Sequence, residues 1–468
     1  MALETHLFFL EKRTQITLDL IAKINREESE ARLIVVDVSS FDYPLQPPWR
    51  VPGLLRSRSA KILGLFDALG VEYIDGAKIR PTQTDFTVEE SQKMGIAIKS
   101  TIISGYVRGI RLRTRPRLFE VYLNKRLTSQ SQKIFSLTTE LIREFSASKV
   151  FVTNGRFAAE HATYLAARHE NAKPFFFEVD ASRRTNYLTE YRIQDRIKRQ
   201  GHALEATSML QDSEIQPHSN DVLAKNKRVN IYGSLWEESK DAWKGPRDSL
   251  ALFATSSQDE MVSLDLDWNE ASWGSQYKAF LAIWGKLKLR NLTPVLRIHP
   301  NLLNKSPSVA HREIKEIRRF KSENPEFYIV WPASPVSTYD LISYSDVVVV
   351  ENSTIGLEAS AQGVPVICTN SCAYDIIADV VTVHGPEDLD KIYNMSKTSD
   401  PRGAQRYIAF SDTIREFIPR NEFNVALSNF SRIKQFISSV IDGSAYSMVF
   451  ELRWKIYRLI MLKTSPRH

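Results

Sequence analysis

The sequence predicts an α/β protein made of two doubly wound domains that face each other. Three observations predict this fold. β-Branched runs alternate with amphipathic helical patterns, the alternation stops at a polar stretch near residues 218–230 and then resumes, and most predicted strands end in polar residues. The chain has 468 residues, of which 43% are hydrophobic and 25% charged, so its length suits two or three globular domains.

The first half of the chain alternates helices and strands. Helical segments with an apolar period of about 3.6 residues are each followed by a short run rich in Val, Ile and Phe. The predicted helices cover 14–27, 53–70, 133–145 and 158–172, and the predicted strands cover 31–42, 71–76, 149–155 and 173–180. Because strands separated by helices pair in parallel, we expect a parallel sheet with helices on both faces.

The second half repeats this order after the polar stretch. The predicted strands cover 249–260, 292–301, 326–337, 346–353 and, as the final strand, 364–370; the predicted helices cover 273–291, 311–324, 338–345 and 354–363. Two such series predict two domains. We place an N-terminal domain at 1–225, a C-terminal domain at 226–400 and a helical segment at 401–468.

Positive charge is concentrated in two segments of the chain. The formal net charge is +7, residues 99–133 contain nine Lys and Arg against one acid, and residues 451–468 contain five against one acid. A local basic surface suits an anion such as a phospholipid, an acidic glycan or a nucleic acid. The alternative is that both segments are ordinary solvated faces.

Cysteine content and hydropathy bear on the compartment. Cys368 and Cys372 are the only cysteines, and no histidine or second cysteine pair lies near them in sequence, so we expect neither a disulfide framework nor a zinc site. No run of about 20 apolar residues occurs, and the N-terminal residues lack the features of a signal peptide. We therefore expect a cytoplasmic protein.

The C-terminal stretch 444–468 mixes apolar residues with five cations. This composition suits a helix lying on anionic lipid, which would place the protein on the inner face of the cytoplasmic membrane as a peripheral protein. Its apolar residues run nearly all round a helix, however, which equally favours packing between the domains. Both interpretations stay open.

One predicted strand, DVVVV, ends on polar residues that open a helix: Asn352, Ser353 and Thr354. Unpaired N–H groups and the helix dipole at such a point favour an anion. Gly356 would let a ligand approach the backbone, and Glu358 would accept hydrogen bonds from ribose hydroxyls. A nucleotide phosphate satisfies both features. Alternatively, Ser353 only caps the helix and Glu358 faces solvent.

Other predicted strands also end on polar residues. Arg297 and His299 are two residues apart on one strand and point to the same side, and Pro300 turns the chain away. A cation and an imidazole there can hold a phosphate or a sugar carboxylate. Hydroxyl residues follow two further elements: Ser256, Ser257, Ser337 and Thr338. Together these ends predict a hydroxyl-rich pocket.

Several of these stretches carry a family resemblance. LFATSSQDE, RIHPN and WPASPVSTYDLISYSDVVVVENSTIGLEASAQGVPVI resemble the C-terminal half of bacterial capsule-polysaccharide biosynthesis glycosyltransferases, and VTNGRFAAEHATYLAARHENAKPFFFEVD resembles an upstream part of that family. The similar stretches cover about 149–196 and 249–375. The resemblance implies GT-B architecture, two Rossmann-like domains facing across a cleft. The Ser-Thr-x-Gly-x-Glu-Ala segment is also similar to that of sugar-nucleotide 2-epimerases.

The resemblance also implies a function, a glycosyltransferase that moves a sugar from a nucleotide-sugar donor to a growing surface or capsular polysaccharide or a glycolipid. The donor would bind the C-terminal domain, with His299 stabilising the leaving phosphate, and the acceptor would bind near Asn154 and Arg156. The catalytic base would be Glu178 or Asp180. No metal or other cofactor is expected, because helix N–H groups and a cation can neutralise the leaving phosphate.

Three other functions stay open. A sugar-nucleotide 2-epimerase would use the same donor site and release a free epimer without any acceptor. A non-catalytic protein that binds nucleotides or anions would keep the fold alone. A nucleic-acid binder would explain the arginine-rich run at 108–117, but few aromatic residues and no recognised module accompany it, so nucleic acid is the least favoured partner.

Overall fold

The computed structural model describes most of the chain. The described residues are 4–10, 14–38, 57–103, 117–180, 185–192, 194–211, 213, 215–217, 219–220, 223, 242–256, 261, 272–300, 302, 307–332, 334–413 and 416–419. They form two compact units, the first built from Met1–Gln194 and the short strand that begins at Glu416, and the second from Asp195–Ile414.

Thirteen strands are present among the described residues. They are β1 (Thr5–Leu10), β2 (Arg32–Asp37), β3 (Glu72–Asp75), β4 (Lys149–Thr153), β5 (Lys173–Asp180), β6 (Thr185–Thr189), β7 (Leu250–Ala254), β8 (Thr293–Arg297), β9 (Tyr328–Val330), β10 (Ser345–Val350), β11 (Val366–Cys368), β12 (Val381–Thr382) and β13 (Glu416–Pro419).

The helices alternate with these strands. They are α1 (Thr14–Glu27), α2 (Ser57–Ala68), α3 (Val88–Ile103), α4 (Arg117–Phe145), α5 (Ala158–His169), α6 (Arg196–Met209), α7 (Gln276–Leu287), α8 (Pro307–Glu323), α9 (Thr338–Ser343), α10 (Thr354–Ser360) and α11 (Pro401–Thr413). Every helix predicted between residues 14 and 363 is present, although α4 starts 16 residues before the predicted segment.

The first unit contains a seven-stranded sheet with the order β13-β6-β5-β4-β1-β2-β3. Strands β1 to β5 pair in parallel, whereas β6 is antiparallel to β5 and β13 is antiparallel to β6. The chain runs from β1 outward to β3 and then returns to the other side of β1 with β4. The strand order therefore reverses between β1 and β4.

The second unit contains a six-stranded sheet with the order β12-β11-β10-β7-β8-β9, and all its pairs are parallel. Numbered along this unit, the order is 6-5-4-1-2-3, that of a Rossmann fold. The direction of winding reverses between β7 and β10. This switch point is where open α/β sheets bind ligands, beyond the carboxyl ends of the strands. Both sheets confirm the predicted doubly wound α/β class.

Burial on both faces explains the valine run in β10. Val347 and Val349 pack with residues of α7 and α8, whereas Val348 and Val350 pack with residues of α10 and α11. All four are at most 1% exposed. A strand covered by helices on both faces reads as a continuous apolar run, because neither side alternates with solvent.

Four strands, β1, β6, β12 and β13, were missing from the sequence prediction. β1, THLFFL, is buried throughout and lies in the middle of the first sheet, although the sequence showed it only as a short apolar run near the N-terminus. Residues 364–370 are not the final strand, because β12 and β13 follow. β6 adds an antiparallel partner that the alternating pattern did not suggest, since pattern reveals strands and not their direction.

The division between units lies at Gln194 and Asp195 instead of near residue 225. Helix α6 belongs to the second unit, where it packs on α11, with the rings of His202 and Phe410 5.4 Å apart. After α11 the chain contributes β13 to the first sheet. The predicted C-terminal helix at 444–468 and the arginines of 108–116 fall outside the described residues.

No helix in the part of the chain that the structure describes is long and apolar enough to cross a membrane. Cys368 and Cys372 are free, buried thiols whose sulfur atoms lie 3.8 Å apart.

Candidate functional site

The carboxyl ends of β7 and β10 lie side by side at the switch point of the second sheet. Ala254 pairs with Val350 at the last position of both strands. The residues that follow, Thr255 and Ser256 after β7 and Glu351 after β10, therefore start from adjacent points on the same edge. This edge is the position at which Rossmann-type sheets bind nucleotides, so it is the candidate site.

Thr255 connects the ends of β7 and β8. Its backbone N–H donates to the carbonyl oxygen of Arg297 at 3.0 Å, and its hydroxyl oxygen accepts from the backbone N–H of His299 at 2.8 Å. Thr255 is buried, and His299 is half-buried. These bonds fix the backbone of His299 at the carboxyl edge, where the sequence predicted it.

Arg297 lies inside the unit and is 3% exposed. Its Nε donates to the hydroxyl of Thr338 at 3.2 Å, and its Nη1 donates to the carbonyl oxygen of Trp331 at 2.8 Å. A buried guanidinium requires such acceptors, because an unsatisfied charge is costly away from water. Arg297 thus joins the end of β9 to the first residue of α9, and its predicted contact with a phosphate remains a prediction.

Ser353 occupies the N-cap of α10. Its hydroxyl accepts from the backbone N–H of Ile355 at 3.3 Å, so the capping role is present. Asn352 is half-buried next to it, and Thr354 is exposed. α10 has only seven residues, so its dipole is smaller than the sequence pattern suggested.

Gly356 is required by packing. A Cβ atom there would lie 2.4 Å from the hydroxyl oxygen of Tyr374 and 2.8 Å from Cγ2 of Val350. The phenol therefore occupies the space beside the glycine that the sequence reasoning left for a ligand. The physical reason for the glycine is the close approach of Tyr374, which donates to the carbonyl oxygen of Ser353 at 2.7 Å.

Glu358 lies in the second turn of α10 and is 7% exposed. This burial excludes the alternative in which its side chain faces solvent. A buried carboxylate is expensive unless hydrogen bonds or cations surround it, so Glu358 is an unusual residue for a merely structural helix position.

Ser256 is held by a reciprocal pair of contacts with Gln276 of α7. Its backbone N–H donates to Oε1 of Gln276 at 3.0 Å, and Nε2 of Gln276 donates to the Ser256 carbonyl at 3.4 Å. The Ser256 hydroxyl is buried and has no hydrogen-bond partner among the described residues. Ser337 caps α9 through the N–H of Tyr339 at 3.3 Å, and Ser257 falls outside the described residues.

Glu351 is a site residue that the sequence reasoning missed. It directly follows β10, is half-buried, and has no hydrogen bond or ion pair with any residue that the structure describes. Burial raises the pKa of its carboxyl group to about 7. The signal was visible in the sequence, because an acid immediately after four valines begins the polar strand end.

Tyr277 of α7 faces the same region. It is 6% exposed, and its hydroxyl has no hydrogen-bond partner within the described part of the chain. Burial raises the pKa of Tyr277, and the nearby charges of Glu313, Glu316 and Glu351 raise it further. Tyr277 and Glu351 are thus near enough to interact electrostatically.

In the first unit, the structure brings together Asn154 and Glu178 at the carboxyl ends of β4 and β5. The Asn154 side-chain amide donates to the Glu178 carboxylate, and Gln194 Nε2 donates to Oδ1 of Asn154 at 3.1 Å. Asn154 and Gly155 both have left-handed backbone conformations, at φ +55° and +75°. A side chain at Gly155 would also collide with Phe176.

Arg156 and Asp180 complete the predicted residues of the first unit. The Arg156 guanidinium lies 4.5 Å from the centre of the Phe157 ring. Asp180 is the last residue of β5, but its side chain falls outside the described set. Glu178 is therefore the candidate base whose surroundings the structure defines.

Two buried residues next to this turn were also missed. Nδ1 of His161 lies 3.0 Å from the carbonyl oxygen of Gly155, and Nη1 of Arg192 lies 3.4 Å from the same nitrogen. Burial, and then the positive charge of Arg192, lower the pKa of His161 to about 3, so the imidazole is neutral at physiological pH. Hydrophobic periodicity could not reveal His161 and Arg192. His161 lies in a helix that packs on the sheet and Arg192 lies in a loop, and neither position differs in pattern from its neighbours.

A separate acidic cluster lies at the amino end of the first sheet. Ligand atoms of Glu4, His6 and Glu28 all lie within 4.8 Å of one another. The ammonium group of Lys149 is 2.8 Å from Oε2 of Glu28 and 3.7 Å from Oε2 of Glu4. The lysine already supplies the positive charge there, so this cluster is an ion-pair network.

Neither a protein-family model nor a curated protein sequence matches the chain. Several solved structures are similar to it. KpsC from Thermosulfurimonas dismutans, a beta Kdo 2,4 transferase, is 11% identical over 56% of this chain and 79% of that one, with a TM-score of 0.36. UDP-GlcNAc 2-epimerase from Neisseria meningitidis is 14% identical over 87% of this chain and 97% of that one, with a TM-score of 0.29.

The beta Kdo 2,7 transferase of the same KpsC is 13% identical over 58% of this chain and 79% of that chain, with a TM-score of 0.32. Kdo transferases and UDP-GlcNAc 2-epimerases both occur among these structures. The scores are low, so the assignment of function rests on the chain's own residues.

Proposed function

We propose that the chain is a metal-independent glycosyltransferase of the GT-B type. It moves a sugar from a nucleotide-sugar donor to a growing surface or capsular polysaccharide or a glycolipid. The observation that carries this proposal is the carboxyl edge of the second sheet, where polar ends of β7, β8 and β10 meet at the switch point of a Rossmann strand order.

The donor binds along that edge. The hydroxyl of Ser256, which has no hydrogen-bond partner among the described residues, and the half-buried side chains of His299 and Asn352 provide groups for phosphate and sugar oxygens. Buried Glu358 accepts hydrogen bonds from the ribose hydroxyls. Hydrogen bonds of a charged group in a protein interior are worth roughly 1.5–3 kcal/mol, which suits a residue that selects a ribose.

His299 neutralises the charge that develops on the leaving nucleotide phosphate. Its backbone is fixed by Thr255, and its side chain lies at the end of β8 next to the switch point. Arg297, close behind, adds positive charge to the edge. A preorganised imidazole and cation stabilise such a leaving group without a metal.

Glu178 is the proposed base that takes the proton of the acceptor hydroxyl. Asn154 holds the carboxylate through its side-chain amide, and Gln194 in turn holds Asn154. A carboxylate with a fixed orientation transfers protons efficiently when the acceptor hydroxyl lies within hydrogen-bond reach. Asp180 remains a second candidate, and Asn154 and Arg156 line the acceptor side.

A sugar-nucleotide 2-epimerase is the second candidate, because the Ser-Thr-x-Gly-x-Glu-Ala segment suits both enzymes and the buried Glu358 serves a ribose in either. The products distinguish them. An epimerase yields a free epimer from the nucleotide sugar alone, whereas a transferase yields free nucleotide and a lengthened glycan only when an acceptor is present.

The test begins with ligand binding to the full chain. We would measure thermal stability and calorimetric binding with CMP, UDP, GDP, ADP and TDP and their sugars, with Mg²⁺ or with EDTA. One nucleotide class should stabilise the protein by about 3 kcal/mol at a hundred times its Kd, equally in EDTA.

Each outcome of that screen has a definite meaning. Stabilisation that disappears in EDTA contradicts the metal-independent mechanism. No binding by any nucleotide or nucleotide sugar contradicts the transferase and the epimerase together and favours a non-catalytic protein. A binding ligand that is turned over without acceptor into its epimer replaces the first proposal with the second.

A further inference from the structure

We propose that Glu351 binds the donor as a carboxylic acid, so that the protein takes up a proton on this side chain when the nucleotide sugar binds. The inference rests on the function proposed above and names a further residue of the same site.

The first argument is the position of Glu351. It directly follows β10 at the switch point, where Val350 pairs with Ala254 of β7. Side chains alternate along a strand, so Glu351 continues the face of Val347 and Val349, which pack with residues of α7 and α8. The side chain therefore begins at the ligand edge of the sheet, on the side of α7.

The second argument is the absence of compensation for a negative charge. Glu351 has no hydrogen bond or ion pair among the residues that the structure describes. Burial is the one cause of the raised pKa of Glu351, while the acids Glu313 and Glu316 of α8 act on the hydroxyl of Tyr277. Arg297, the cation at the end of β8, donates to Trp331 and Thr338. The described ends of β7 and β11 add hydroxyl and amide side chains there, in Thr255, Ser256, Thr369 and Asn370. These surroundings favour the neutral acid.

The third argument is chemical. A nucleotide sugar carries negative phosphate oxygens, which an ionised carboxylate repels. A carboxylic acid instead has one O–H donor, which a phosphate or sugar oxygen accepts. Ligand binding therefore stabilises the protonated form, and the proton comes from the buffer. No covalent bond other than the O–H bond of Glu351 is formed.

The neighbouring hydroxyls support the same assignment. Ser256 and Tyr277 each have a buried hydroxyl with no hydrogen-bond partner among the described residues. Buried polar groups in proteins are nearly always paired. Two buried hydroxyls without a partner among the described residues, close to the half-buried carboxyl of Glu351 at the switch point, are the pattern that a bound polar ligand would complete.

The test is calorimetry with the nucleotide sugar that the ligand screen selects, in two buffers of different ionisation enthalpy. The phosphodiester and diphosphodiester groups of nucleotide sugars do not titrate near neutral pH, so protons taken up belong to the protein. With an apo pKa of about 7, affinity should fall about tenfold between pH 6 and pH 8, and uptake at pH 8 should approach one proton.

Two variants make the test specific. Glu351→Gln keeps the size and a hydrogen-bond donor but cannot titrate, so its affinity should stay constant over this pH range and its proton uptake should be smaller than wild type by nearly one. Asp346→Asn changes an exposed acid at the opposite end of β10 and should behave as wild type. A melting curve checks that each variant is folded.

The outcomes separate this inference from the proposed function. Equal proton uptake by wild type and Glu351→Gln overturns the inference and leaves the transferase proposal standing. Should Glu351→Gln not fold, Tyr277→Phe provides the measurement. Loss of the neighbouring hydroxyl should weaken binding of the nucleotide sugar severalfold, and the variant should still take up a proton. Unchanged binding with no proton uptake overturns the inference. Failure of every nucleotide sugar to bind wild type overturns both.

Discussion

The hydroxyl of Tyr374 donates to the carbonyl oxygen of Ser353 at 2.7 Å and fills the space beside Gly356. Ser353 is the N-cap of α10, so this hydrogen bond holds the start of the helix from the loop after β11. The buried phenol of Tyr374 thus stabilises the polar end of β10, and Gly356 leaves the space that the phenol occupies.

Gly356→Ala should destabilise the second unit by about 1–3 kcal/mol, because the added methyl group would overlap the Tyr374 oxygen and Val350. Chemical denaturation measures this change. The matched control is Gly285→Ala in α7, where a methyl group meets nothing within 4 Å and helix propensity should add about 0.5–1 kcal/mol. Equal effects at both positions would contradict the packing role of Gly356.

Glu358→Gln should raise the donor KM about tenfold or more, through the loss of charge-assisted hydrogen bonds worth roughly 1.5–3 kcal/mol, and should leave kcat for saturating donor nearly unchanged. Steady-state kinetics with the selected nucleotide sugar measures both constants. Glu323→Gln, an exposed acid near the end of α8, is the control. A folded Glu358→Gln with an unchanged KM would remove the ribose role.

Asn154→Ala should lower kcat about tenfold to a hundredfold without changing the donor KM, because Asn154 orients the carboxylate of Glu178, which we place on the acceptor side. Glu178→Gln should lower kcat at least as much. The informative comparison is the double variant: if the asparagine acts through Glu178, combining the changes costs little more than Glu178→Gln alone. Fully multiplicative losses would argue against this positioning role.

His161 should make the first unit sensitive to acid. Its folded pKa of about 3 lies below the ordinary value of 6.5, so the unfolded chain binds the proton first as pH falls. The contribution of the neutral imidazole to the free energy of unfolding is fully present above pH 6.5. It should decrease by about 3 kcal/mol between pH 7 and pH 4. Denaturation curves of wild type and His161→Gln measure this.

The comparison of those curves is decisive. Glutamine does not titrate, so the difference in unfolding free energy between wild type and His161→Gln should shrink or reverse as pH falls. Parallel curves from pH 7 to pH 4 would show that His161 titrates normally.

Sequence alone determined the α/β class, the doubly wound order of helices and strands, and nearly every helix. The reason is that buried parallel strands and the helices that cover them leave strong local patterns, as in the valines of β10. It also identified Arg297, His299 and Ser353, because residues at the ends of strands follow directly from where each apolar run stops.

Only the tertiary structure decided what those residues contact. Arg297 bonds to Trp331 and Thr338, which are 34 and 41 residues away, and Tyr374 lies beside Gly356 across the end of β10. Glu351 and Tyr277 come from different elements, and that neither side chain hydrogen-bonds to a described residue is a property of the packed unit. Such relationships depend on which strands become neighbours, and local residue patterns carry little information about long-range pairing.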